Sequence, residues 1–426
     1  MVDFRDAAIK GQAPDKGLYF PQQIPVIDQY MLQNIETLSN EEIAFLVIQP
    51  YVGNSIPVNV LRRIVGETVN FPFPLININD RIFALELFHG PTLAFKDVGA
   101  RFMSRCFGYF VEKQDKKVTV LVATSGDTGG AVANGFYGVD GVDVVILYPS
   151  GKVSAVQEKQ LTTLGKNIHA LEVDGTFDDC QQMVKQAFAD KELTDRLFLT
   201  SANSINVARW LPQQFYYFFA YKQWNDKTNP PVICVPSGNF GNICAGILAH
   251  QSGLPVAHFI AACNANDTVT RFLAANGSVS IDSFINEKSV STLSNAMDVG
   301  NPSNFIRILE IFQHQFPVLK EKLSSYSITN KETIDTIKNI YENKDYLLDP
   351  HGAVGYLSLQ RFIDEQPAAK GIFLETAHPV KFPDAIEKII GKTVDIPASV
   401  QAIMTGQKQS LVINAEYASL KDYLLR

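Results

Sequence analysis

Apolar positions follow two different patterns along the chain. Up to about residue 80 they recur at helical spacing, with helices expected at Glu36–Ile48 and Val58–Val69. Pro21, Pro25, Pro50, Pro57, Pro72 and Pro74 punctuate this stretch, so residues 1–80 read as a mostly helical N-terminal domain. From Arg81 onwards, short β-branched runs alternate with helical stretches. Strands are expected at Ile82–Phe88, Val118–Ala123, Val142–Tyr148, Ile168–Val173, Leu197–Thr200, Val232–Val235, His258–Cys263 and Gly371–Glu375. Helices are expected at Asp97–Phe110, from Thr128, and at Val153–Leu164, Phe177–Ala189, Val207–Lys222 and Asn242–His250; roughly Ser303–Asp364 is helix-rich.

Continuous apolar strands separated by helices predict parallel sheet covered on both faces. Pro230-Pro231 breaks the alternation, so the pattern is α/β with two parallel-sheet domains, 81–225 and 226–426, behind the helical 1–80 segment. Ligands of such sheets bind beyond the carboxyl ends of the strands, which puts the expected site between the two domains.

Composition narrows the function. The 426 residues are 46% hydrophobic and 19% charged, with net charge -7, as in an ordinary globular protein. The only dense basic run, Lys113 to Lys117, is interrupted by Asp115 and reads as a solvated helix end, so no nucleic-acid partner is expected. Thr228–Asn266 lacks charged residues, but its prolines and glycines exclude a membrane span. The N-terminus has no apolar signal core, which predicts a cytoplasmic protein. Five scattered cysteines predict reduced, buried thiols, and the seven histidines form no ligand pattern, so no metal is expected.

Candidate chemistry sits at strand ends. Lys96 follows the Ile82 strand within His89-Gly90-Pro91-Thr92-Leu93-Ala94-Phe95-Lys96-Asp97. A lysine beside Leu93, Ala94 and Phe95 can be desolvated, and a neutral amine can form a Schiff base with a carbonyl compound. Alone, it also reads as a solvated lysine at a helix start. Thr124-Ser125-Gly126-Asp127-Thr128-Gly129 and Ser237-Gly238-Asn239-Phe240-Gly241-Asn242 are strand-to-helix turns where backbone N–H groups converge on an anion, or plain capped turns. Neither turn is a Walker loop or a GxGxxG fingerprint, which weakens a nucleotide or dehydrogenase reading. Asn203, Ser204 and Arg209 could bind phosphate or carboxylate through a bidentate guanidinium, or form a capped helix with a solvated arginine.

Six stretches, in order, carry a resemblance: HGPTLAFKD (89–97), ATSGDTG (123–129), SGNFGN (237–242), STLSNAMDVGNPSNF (291–305), DPHGAVG (349–355) and ETAHPVKF (375–382). Together they resemble the longer threonine synthases of bacteria and fungi, pyridoxal 5'-phosphate enzymes of fold type II, the tryptophan-synthase-β fold. The resemblance implies that Lys96 binds the cofactor covalently, that Gly238, Asn239, Phe240, Gly241 and Asn242 cradle its phosphate, and that Thr376 meets the pyridine nitrogen. It places Asp127 at the cofactor's 3'-oxygen, Thr124, Ser125 and Thr128 at the substrate carboxylate, and Asn203, Ser204 and Arg209 at the substrate phosphate. The implied reaction converts O-phospho-L-homoserine and water to L-threonine and phosphate, in a monomer or homodimer. The alternatives are another lyase of the same fold, such as a threonine or serine dehydratase, and a non-synthase relative that binds or acts on phosphorylated ligands. Lys152, Asp349 and His351 have no assigned role.

Overall fold

The computed structural model describes residues 1–112, 117–276, 280–284 and 288–426. Strands form as β1 Leu75–Asn79, β2 Ile82–Glu86, β3 Val118–Ala123, β4 Val142–Pro149, β5 Ile168–Asp174, β6 Phe198–Ser201, β7 Val232–Pro236, β8 His258–Cys263, β9 Leu323–Ser327, β10 Gly371–Glu375 and β11 Leu411–Asn414. They build a six-stranded sheet in the order β1-β2-β10-β7-β8-β9 and a five-stranded sheet in the order β11-β5-β4-β3-β6. Every pairing is parallel except the β1–β2 hairpin. The central strands are buried on both faces, as their unbroken apolar runs require.

Strand pairing divides the chain differently from the expected boundaries at 81 and 226. β2 pairs with β10, which in turn pairs with β7, although β3 to β6 of the other sheet lie between β2 and these strands in the chain. β11, near the C-terminus, closes the edge of the five-stranded sheet against β5. Three strands were not expected. β1 follows Pro72 and Pro74, β9 is the polar Leu-Ser-Ser-Tyr-Ser, and β11 is short and largely exposed; all three are edge strands with weak patterns.

Helices Asn40–Val52 and Val58–Thr68 form the expected N-terminal layer. The single helix expected over Val207–Lys222 is three pieces, Val207–Trp210, a 3-10 turn Leu211–Gln214 containing Pro212, and Phe215–Gln223. Phe215 to Tyr221 are apolar or aromatic all round and all buried, which marks a helix enclosed on every side. Its Tyr216 hydroxyl donates to the Phe95 carbonyl, and its Tyr217 hydroxyl donates to the Asn242 carbonyl at 2.8 Å. One rigid aromatic helix therefore touches both turns singled out in the sequence. The five cysteines are free and buried. Residues 113–116 of the basic run lie outside the described residues, while Lys117 pairs with Asp143 at 2.6 Å. No described helix is long and apolar enough to cross a membrane.

Candidate active site

Three segments emerge at the carboxyl ends of neighbouring parallel strands. The Lys96 turn follows β2, Thr376 follows β10, and the Ser237–Asn242 turn follows β7. Backbone hydrogen bonds join the first two: Phe95 N–H donates to the Thr376 carbonyl at 2.9 Å, and His378 N–H donates to the Leu93 carbonyl at 3.0 Å. Leu93 takes a left-handed conformation, φ 57°, to make the reversal before Lys96.

Lys96 opens helix Lys96–Val111, one residue earlier than expected. Its ammonium lies 3.7 Å from Asp127, which follows β3 of the other sheet, so this contact spans the two sheets. Burial pushes the Lys96 amine below the ordinary lysine range; Asp127 opposes that, while the positive charges of Lys381 and Arg209 add to it. Burial alone would raise Asp127, but Lys381, Lys96 and hydrogen bonds from Lys381 and Gln157 hold its carboxyl well below the usual range. Gln157 Nε2 donates to Asp127 Oδ1 at 3.0 Å. Asp97, next to the lysine, is fully buried and accepts from the Thr92 N–H at 2.9 Å and the Thr92 hydroxyl, which ties the turn down.

The Ser237–Asn242 turn is shaped for an anion. The backbone N–H groups of Gly238, Asn239, Phe240 and Gly241 make no hydrogen bond to the described protein, and they precede or open helix Gly241–Gln251. The buried Asn242 Nδ2 also lacks a partner. A Cβ at Gly238 would stand 2.8 Å from the Met297 Cα, so the backbone there leaves no room for a side chain. The Thr376 hydroxyl makes no hydrogen bond among the described residues.

At the carboxyl ends of β3 and β6 the picture differs from the expectation in part. Thr124 Oγ1 accepts from Gly126 N–H and Gly129 N–H, both at 2.9 Å, so this hydroxyl organises its own turn. Gly126, at φ 136°, supplies the conformation that turn needs. Ser125 and Thr128 have no side-chain partner among the described residues and stay available to a ligand. Arg209 is buried rather than solvated. Its Nη1 donates to the Ala202 carbonyl, its Nε has no partner, and it forms no ion pair among the described residues. Burial pushes its guanidinium down to about 10. A Cβ at Gly99, one turn past Lys96, would lie 3.2 Å from that Nε.

Ser204 reaches the 237–242 turn. It packs against Gly241 and accepts from Asn304 Nδ2 at 3.2 Å. Asn304 also donates to the Asn239 carbonyl at 3.1 Å, and Arg307 donates to Asn304 Oδ1 at 2.6 Å and to the Ile205 carbonyl at 2.7 Å. The 291–305 stretch thus fastens the β7 turn to the loop after β6. Asn203 lies on the same loop with no side-chain hydrogen bond among the described residues. Lys152 is exposed. Asp349 caps helix Pro350–Glu365 and holds His351 Nδ1 at 2.6 Å, while His351 Nε2 accepts from the Ala296 N–H at 3.2 Å. These two residues support the segment that packs on Gly238.

Glu375 and Lys381 are ionisable groups in the interior that sequence reasoning missed. Glu375 is fully buried beside Asp349, and no ammonium or guanidinium pairs with it among the described residues. Burial, then the negative charges of Asp349 and Glu86, raises its carboxyl well above the ordinary 4.5. It is neutral in the folded chain and ionised in the unfolded chain between those values, so stability falls as pH rises through that window. E375Q removes this cost. It should raise stability by about 1–3 kcal/mol at pH 7, with the gain shrinking towards pH 5, as read by urea unfolding at both pH values.

Three family models match the chain: "Threonine synthase N terminus" over residues 1–69, "Pyridoxal-phosphate dependent enzyme" over 66–372 and "Threonine synthase, C-terminal" over 352–424. A threonine synthase of Serratia marcescens is 43% identical over 430 residues, covering 100% of this chain and 96% of its own. The crystal structure of threonine synthase from Escherichia coli is similar at a TM-score of 0.91 and 42% identity, covering 100% of this chain and 96% of that one. A pyridoxal-phosphate-bound threonine synthase from Brucella melitensis matches at a TM-score of 0.90 and 35% identity, covering 99% and 96%.

Proposed function

The chain belongs to the threonine synthases, pyridoxal-phosphate-dependent lyases, and on that premise we propose that its substrate is O-phospho-L-homoserine, converted with water to L-threonine and phosphate. In the overall change the Cγ–O bond breaks, the water oxygen bonds to Cβ, and Cγ ends as a methyl group. The observation that carries the choice of a phosphorylated substrate is Arg209, a buried guanidinium with an orphan Nε and no ion pair among the described residues, packed against Gly99 one helical turn past Lys96. A cation so placed calls for an anion.

The residues fit the cofactor. The unpartnered N–H groups of 238–241 and the Asn242 amide would hold its phosphate, Lys96 its carbonyl carbon, and the Thr376 hydroxyl its ring nitrogen. When bound, the cofactor supplies an electron sink for charge left at the substrate Cα. Lys96, whose amine is held below the ordinary range, moves the proton at Cα. Ser125, Thr128 and the helix start at Asp127 orient the substrate carboxylate, and Asn203, Ser204 and Arg209 hold its phosphate. Thr124 acts on the carboxylate only through the turn it braces. The buried aromatic helix Phe215–Gln223 excludes water beneath both turns.

The direct test is phosphate release from O-phosphohomoserine, run beside homoserine and threonine. Release only from the first supports the reading; release from none overturns it. The cradle has its own test. In G238A the new methyl meets the Met297 backbone, so cofactor affinity should fall roughly 10-fold or more, measured by titrating apoprotein with pyridoxal phosphate.

A further inference from the structure

Lys381 lies in the 3-10 turn Pro379–Lys381 beyond β10, and its side chain is fully buried. Its ammonium contacts Asp127 Oδ1 at 2.8 Å and donates to the Thr92 carbonyl at 2.8 Å. Lys96 faces the other carboxylate oxygen from 3.7 Å. Asp127, itself 3% exposed, is thus shared by two lysines, one from the end of β2 and one from beyond β10. One buried carboxylate neutralises one ammonium, and a second ammonium in the same low-dielectric space carries the full cost of an unpaired charge. Distance and burial decide which lysine is paired: Lys381 sits closer and has no exposed surface, while Lys96 is partly exposed.

We propose that Lys381 is a positioning residue for the reaction, the fixed counter-ion of Asp127, and that by occupying this carboxylate it leaves Lys96 as the uncharged member of a buried Lys–Asp–Lys triad. The inference rests on Lys96 being the cofactor lysine. The groups facing the triad are few. Gln157 donates to Asp127 from helix Ala155–Thr162, Arg209 faces Lys96 from helix Val207–Trp210, Asp97 lies on the helix of Lys96, and His378 precedes the Lys381 turn. Of these, Arg209 opposes charge on Lys96, while Asp97 accepts from Thr92 and acts on Lys381 and Arg209 rather than on Lys96. With Lys381 neutralised, Asp127 has only Lys96 to pair with, and the Lys96 nitrogen should hold its proton to higher pH.

The test is the pH midpoint of the bound cofactor's visible absorption band, which reports protonation at the Lys96 nitrogen, measured in the holoenzyme. K381M should raise the midpoint by about one pH unit or more. K381Q, which still donates to the Thr92 carbonyl but carries no charge, should do the same and serves where the apolar variant does not fold. Removing the carboxylate as well, in K381Q/D127N, should bring the midpoint back towards the wild-type value. An unmoved midpoint in K381M or K381Q makes Lys381 a structural strut and overturns the proposal, as does a double variant that keeps the full upward shift. Failure of the underlying assignment looks different: K96A would then retain the wild-type band, whatever happens at position 381.

Discussion

Replacing Lys96 with alanine should lower the rate of phosphate release by roughly 10⁴-fold or more, because one substitution removes both the covalent hold on the cofactor and the base at Cα. The variant should fold normally. Lys96 is 16% exposed, and Asp127 keeps Lys381 at 2.8 Å and Gln157 at 3.0 Å, so no buried carboxylate is orphaned. Thermal unfolding within a degree or two of wild type, roughly 1–2 kcal/mol for a chain of this length, separates lost chemistry from lost structure. Borohydride reduction followed by peptide mass analysis should find the cofactor on the Lys96 peptide of the wild type and on no peptide of K96A. Cofactor mass on a different lysine would remove Lys96 from the mechanism.

The second large effect is expected at Arg209. R209M keeps much of the side-chain stem and its packing while deleting the charge. A charge-assisted contact to phosphate is worth about 1.5–3 kcal/mol, so kcat/KM for O-phosphohomoserine should fall roughly 10- to 100-fold. Burial strengthens the contact by excluding competing water, which favours the upper end of that range. The loss should be specific to the phosphorylated substrate, with cofactor affinity close to wild type. Unchanged kcat/KM would show that the orphan Nε faces no substrate phosphate, and an equal loss of cofactor affinity would assign Arg209 to the cofactor instead.

Much of the site was legible because its code is local. A β-branched run, a glycine-bearing turn and a helix start occupy a dozen consecutive residues, so β3, β8, β10 and helix Phe177–Ala189 form at the expected residues. The turn at 237–242 could be read as anion-binding for the same reason: backbone N–H groups at a helix start need no distant partner to point outward. The aromatic run Phe215–Tyr221 carried a signal that could have been used, since a helix apolar on all sides must be enclosed.

Position along the chain determined which residues stand at strand ends, and the periodicity of apolar side chains determined that those strands lie in parallel sheets. Only the tertiary structure decided which sheet each strand joined: β2 paired with β10 across all the strands from β3 to β9, and β11 closed an edge begun by β5. It also decided the charge states in the interior. A lysine at 381 or a glutamate at 375 reads, in sequence, as one more solvated ion, and nothing in its neighbours states that it will be buried. Burial depends on residues hundreds of positions away, and it is burial that sets Lys381 against Asp127, raises the Glu375 carboxyl and leaves the Arg209 Nε without a partner.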